Sequence, residues 1–61
     1  MKIYITQGGL KEEIDVPNNI GEFVRVPQKI SLGWQAIEYR WDKTLLVDGK
    51  RVYKLYNTFE L

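Results

Sequence analysis

Apolar and polar residues alternate through KIYITQGGLKEEIDV, Lys2 to Val16, around a central Gly8-Gly9 pair. Two-residue periodicity about a glycine pair predicts a β-hairpin, because both turn positions need φ > 0 and glycine has no Cβ to oppose it. The turn sets Gln7 opposite Leu10, Thr6 opposite Lys11, Tyr4 opposite Glu13 and Ile3 opposite Ile14. Ile3, Ile5, Leu10, Ile14 and Val16 then share one face, while Lys2 meets Asp15 on the other. Glu12 is the exception, landing on the apolar face opposite Ile5. Turn chemistry, apolar face and charge pairing agree on one register.

The block Tyr39 to Tyr56, YRWDKTLLVDGKRVYKLY, has the same character. Asp48-Gly49 is a strong two-residue turn signal between apolar-rich runs. It sets Leu46 against Arg51, Leu45 against Val52 and Thr44 against Tyr53. A further two-residue turn at Asp42-Lys43 would set Tyr39 against Leu46 and Arg40 against Leu45. One face of this three-stranded meander carries Ile37, Tyr39, Trp41, Leu46, Tyr53 and Leu55. The opposite face carries Leu45, Val47, Val52 and Tyr56, bordered by Arg40, Lys43, Lys50 and Lys54.

The middle of the chain is less sharply patterned. Pro17-Asn18-Asn19 reads as a loop, and Glu22 to Val26 as a short strand closed by Pro27. A helix starting after Asn19 would have Glu22 as its capping-box partner. Gly21, Val24 and Val26 disfavour it, and Pro27 leaves it barely two turns. From Ser31 to Trp41 the two periods compete. Ile30, Trp34, Ile37 and Trp41 form a helical stripe, whereas Ile37, Tyr39 and Trp41 alternate with Glu38 and Arg40. Aromatic and β-branched content favours a strand. The tail NTFEL keeps Phe59 and Leu61 and is expected to dock. The expectation is an all-β fold: one small domain over residues 1–61, an antiparallel barrel or sandwich of five to six strands.

The segments MKIYITQGGLKEEIDVP and TLLVDGKRV resemble the strand pairs of ubiquitin-like β-grasp domains. The resemblance covers two short segments and implies an alternative α+β fold of ββαββ type, with a helix at about 31–41. Conjugating members of that family end in Gly-Gly. This sequence ends in Glu60-Leu61, so the resemblance implies no conjugation.

Composition narrows the function. Sixty-one residues give room for one core, and a chain this short buries only about 60% of its unfolded surface. Without Cys or His, neither a disulfide nor the usual zinc site is available to stabilise it. Packing or self-association must do so, and a homo-oligomer is one expectation. The same inventory removes the common general base and the thiol nucleophile. Ser31 is the only serine, and no neighbour suggests its activation. Glu12, Glu13 and Asp15 are split between faces by alternation and do not converge on a cation. Gly8-Gly9 lacks the Gly-Lys-Ser/Thr of a phosphate loop. No catalytic residue, metal or cofactor is expected, and the chain reads as a non-enzyme.

The formal charge is +1, with a local excess of cations over residues 40–56. No apolar run approaches the roughly 20 residues of a membrane span, and no signal-peptide pattern follows Met1-Lys2. A cytoplasmic location, with no membrane partner, is expected. An apolar strip with a charged rim is the pattern of a docking surface. The candidate partner-binding residues are Arg40, Leu45, Val47, Lys50, Val52, Lys54 and Tyr56. The favoured partner is a protein, as for a small regulator or inhibitor. The alternative is nucleic acid, with aromatic rings stacking bases while Arg40, Lys50, Arg51 and Lys54 neutralise phosphates.

Overall fold

The computed structural model describes residues 1–60 as an all-strand fold. Its strands are β1 (Lys2–Gln7), β2 (Leu10–Asp15), β3 (Phe23–Ile30), β4 (Gly33–Val47) and β5 (Lys50–Glu60). They form a single five-stranded sheet in the order β2-β1-β5-β4-β3. The sheet is open and mixed: β1 runs parallel to β5, pairing Tyr4, Ile5 and Thr6 with Val52, Tyr53 and Lys54. An entirely antiparallel arrangement is therefore corrected at this one pair, where two hairpins meet side by side.

Both expected turns are present. Gly8 and Gly9 have φ of 58° and 84°, and Asp48 and Gly49 have φ of 51° and 74°. The first hairpin has the expected register throughout, from Lys2 opposite Asp15 to Gln7 opposite Leu10, including Glu12 opposite Ile5. The second closes with Val47 opposite Lys50 and Leu46 opposite Arg51.

Residues 31–41 contain no helix, which removes the ββαββ alternative. Gln28–Gln35 instead belong to a third hairpin that turns at Ser31-Leu32, with Ile30 opposite Gly33. Pro27 does not end β3. The Trp41 N–H donates to the Glu22 carbonyl at 2.8 Å, and pairing continues regularly to Ile30. That phase turns the backbone groups of Val24, Val26 and Gln28 toward β4 and those of Phe23, Arg25, Pro27 and Lys29 outward. Pro27 thus sits on an edge strand where its missing N–H removes no ladder bond.

No turn forms at Asp42-Lys43 either. β4 runs through this point, and pairing jumps from Trp41 opposite Tyr53 to Leu46 opposite Arg51. Residues 42–45 therefore bulge out of β4 opposite Val52. The Asp42 carboxylate stabilises the bulge by accepting from the Thr44 N–H, the Thr44 hydroxyl and the Lys54 ammonium. Thr44 consequently does not face Tyr53; Trp41 does. A second irregularity, between Glu38 and Tyr39, leaves Tyr56 as the extra residue on β5.

One face of the sheet carries the core: Ile3, Ile5, Val24, Ile37, Tyr39 and Tyr53. The connection of residues 16–22 runs from edge strand β2 to edge strand β3 and packs Val16 and Ile20 on this core. It is tied down by the Tyr53 hydroxyl, which donates to the Gly21 carbonyl at 2.7 Å. Ile37, Tyr39 and Tyr53 are buried as expected, but Leu46 and Leu55 from the same predicted set are exposed. Leu46 lies beyond the bulge and Leu55 beside the second irregularity, so neither reaches the covered area. The tail pairs with β4 through Glu60, while Leu61 lies outside the described residues.

Candidate functional site

Among the described residues no other element covers the face opposite the core. Strand alternation brings to it Tyr4 from β1, Phe23 and Arg25 from β3, Arg40 from β4, and Val52, Lys54, Tyr56 and Phe59 from β5. Phe23 lies opposite Arg40, and Arg40 opposite Lys54, so β3, β4 and β5 each contribute to one transverse row. The bulged Tyr56 reaches back to Phe23, with ring centroids 5.3 Å apart and planes tilted by 60°. The Arg40 guanidinium lies 5.7 Å from both ring centroids. These contacts are cation–π and edge-type aromatic interactions at a solvent-exposed place.

Similar pairs flank this centre. Arg25 lies 4.7 Å from the Phe59 ring, and Lys11 and Lys50 lie 4.8 and 5.4 Å from the Tyr4 ring. Each of the central cations also has a carboxylate. Arg25 bonds to Glu38 at 3.1 Å, Lys50 to Glu13 at 3.0 Å and Lys54 to Asp42 at 2.8 Å, while Arg40 approaches Glu22 at 3.8 Å. The Lys50 hydrogen bond lowers the Glu13 pKa, and the Glu13 hydrogen bond raises that of Lys50. Hydrogen bonds from Lys54 and then Thr44 lower the Asp42 carboxyl to about 2. The surface is aromatic and ionic, and its charges are matched.

The predicted contact residues divide into three groups. Arg40, Lys54 and Tyr56 come together at the centre of this face, and Lys50 lies at its β1 side against Tyr4 and Glu13. Val52 belongs to the same face but is only 2% exposed, which removes it as a contact residue. Leu45 lies in the bulge and Val47 beside the Asp48-Gly49 turn, away from the aromatic pair. The expected apolar strip is thus not continuous. Phe23, Arg25 and Phe59 were not singled out as contact residues. Their place depends on the β3–β4 register, and Ser31-Leu32 is not one of the pairs that announce a two-residue turn; the signal there is weaker, Gly33 at φ of 144°.

Two further features adjoin this face or lie beyond it. A groove of about 490 Å³ runs between the end of β2 and β3, lined by Ile14, Val16, Ile20, Val24 and Val26 and also by Phe23 and Arg25 of this face. At the β3–β4 turn, Ile30, Leu32 and Trp34 are exposed, Leu32 almost completely. Trp41, by contrast, is half-buried on the core face, stacked on Tyr53 with centroids 6.3 Å apart. The Arg51 guanidinium also lies over the Trp41 ring, 4.0 Å from its centroid. Among the described residues no group of three or more Asp or Glu side chains is placed to hold a metal ion. The described residues form no helix, and so none long and apolar enough to cross a membrane.

No protein family, curated protein or solved structure matches the chain.

Proposed function

We propose that this chain is a non-enzymatic protein-binding module that docks through the outer face centred on Phe23, Arg40, Lys54 and Tyr56. The observation that carries this reading is the Phe23–Tyr56 pair with Arg40 beside both rings, left 41% and 55% exposed in a domain short of apolar burial. Aromatic and arginine side chains are the types enriched at binding hot spots. The matched ion pairs around them suit a protein surface of mixed charge. A phosphate backbone would have to displace Glu22, Asp42, Glu13 and Glu38 from their cations first.

Nucleic acid is the second reading, favoured by the same exposed rings interleaved with Arg25, Arg40 and Lys54, an arrangement able to stack bases. Two variants separate the readings, each checked for folding by circular dichroism. Phe23→Ala/Tyr56→Ala removes the rings, and Lys50→Glu/Lys54→Glu reverses charge. Immobilised protein is challenged with extract of its native host, and retained polypeptides are identified by mass spectrometry. The expected result is a polypeptide lost from the ring variant and only weakened in the charge variant, with little response to salt. Loss in the charge variant alone, together with binding to single-stranded oligonucleotides that falls steeply with salt, would reverse the ranking.

A further inference from the structure

The sheet ends in two strands whose outer edges have no strand partner among the described residues. Their backbone phase is fixed at both ends of each ladder. On β2, the Val16 N–H donates to the Met1 carbonyl at 2.8 Å and the two-residue turn closes at Gln7 opposite Leu10. Leu10, Glu12 and Ile14 therefore bond to β1, and Lys11, Glu13 and Asp15 turn their N–H and C=O groups outward. On β3 the outward groups belong to Phe23, Arg25, Pro27 and Lys29, and only Pro27 lacks a donor.

The two edges carry opposite charge. β2 holds Glu12, Glu13 and Asp15 against Lys11 alone, whereas β3 holds Arg25 and Lys29 and no acid. Their directions also fit. Across the sheet the four pairings are antiparallel, parallel, antiparallel and antiparallel, three reversals in all, so β2 runs opposite to β3. A second copy in the same orientation therefore presents its β2 antiparallel to this β3.

We infer that the protein self-associates by edge pairing, β2 of one copy adding to β3 of the next. Glu13 then lies against Arg25, Ile14 against Val24, Asp15 against Phe23 and Lys11 against Pro27. This register joins outward groups to outward groups and costs one ladder bond, at Pro27. Opposite charges and a β-branched apolar pair face each other across it. Pairing β3 with β3 joins two basic strands, and pairing β2 with β2 centred on Glu13 opposes two glutamates, so the complementary contact is the heterologous one. Such a contact repeats head to tail and builds rings or chains rather than a two-fold dimer. It uses the strand edges, which Phe23 and Arg25 of the aromatic face border, and does not depend on the function proposed above.

Sedimentation equilibrium tests it with the full chain. The weight-average mass should rise with concentration to twice the 7.2 kDa of one chain or beyond, and fall as salt is added. Glu12→Lys/Asp15→Lys makes β2 basic, and Gln28→Glu/Lys29→Glu makes β3 net acidic while sparing the Arg25–Glu38 bond. Each variant alone should remain monomeric, and mixing the two should restore association. Circular dichroism establishes that both are folded. A wild-type protein monomeric at every concentration overturns the inference, as it would if the two edges of one chain closed on each other. Association of the β3 variant alone, the signature of β2–β2 pairing, overturns it equally.

Discussion

The Tyr53 hydroxyl and the Gly21 carbonyl, 2.7 Å apart, join one of the two fully buried side chains of the core to the connection that covers it. Residues 16–22 contribute few apolar side chains, so this bond and the one from Trp41 N–H to Glu22 hold the cover in place. Tyr53→Phe keeps the ring and removes the donor. It should cost about 1–2 kcal/mol, the range for losing a part-buried hydrogen bond that leaves its acceptor unpaired. Urea unfolding measures the loss, and faster amide exchange at Trp41 would show that it acts through the cover.

Gly9 and Gly49 have φ of 84° and 74°, with nothing within 4 Å of where a Cβ would stand. Space is therefore not the constraint at either turn; backbone conformation is. Gly9→Val and Gly49→Val should each destabilise by about 1 kcal/mol or more, while Gly49→Asn should cost much less. Equal melting temperatures for Gly49→Val and Gly49→Asn would contradict the assignment.

Acid should loosen the β4 bulge. The folded pKa of Asp42, about 2, lies below its ordinary value of 3.8, so the folded state favours the carboxylate. The stability this contributes is present above pH 3.8 and is lost as pH falls toward 2. Glu13, also lowered by its lysine partner, loses its contribution as pH falls below the ordinary 4.5. Asp42→Asn should flatten the acid limb of the stability profile without changing its shape above pH 5. Chemical unfolding between pH 2 and 6 checks this.

Trp41 tests a different balance. Its indole Nε1 is buried and has no partner among the described residues, although its ring stacks on Tyr53 and carries Arg51. Trp41→Phe loses contact area but also removes an unpaired donor, and those two effects oppose. The net change should stay within about 1 kcal/mol, whereas Trp41→Ala, which removes the same donor but gives up the whole ring, should cost about 3 kcal/mol. Thermal unfolding of the pair distinguishes them.

What the sequence made legible follows from how locally each feature is encoded. Gly8-Gly9 and Asp48-Gly49 carry their turn geometry in two residues, and alternation fixes the strands beside them, so the first hairpin was readable to the last pair. Ser31-Leu32 has no such chemistry, and the β3–β4 register that places Phe23 against Arg40 was hidden with it. Asp42-Lys43 resembles a turn because Asp42 does bond its own backbone, two residues on. The result is a bulge because Tyr53 pairs with Trp41 and holds β4 in line. Pro27 marks a strand end only if its N–H is needed, and on an edge it is not. The candidate face was half legible: Arg40, Lys54 and Tyr56 lie together, while burial of Val52 and displacement of Leu45 and Val47 depended on pairings no local pattern specifies.

The parallel contact between Tyr4–Thr6 and Val52–Lys54 has a consequence for how the chain reaches this state. Each hairpin closes a short loop and can form within roughly 1–10 μs. Joining β1 to β5 requires segments nearly the whole sequence apart to meet, and Ile3 and Ile5 find Tyr53 only when they do. Loop-closure entropy is thus incurred before the core repays it, which places this protein among slow folders for its size, in the millisecond-to-second range of non-local β topologies. Until that contact forms, the first hairpin lacks its neighbour and β5 is itself an open edge. Mispairing at these open edges is accordingly the hazard of folding until that contact forms.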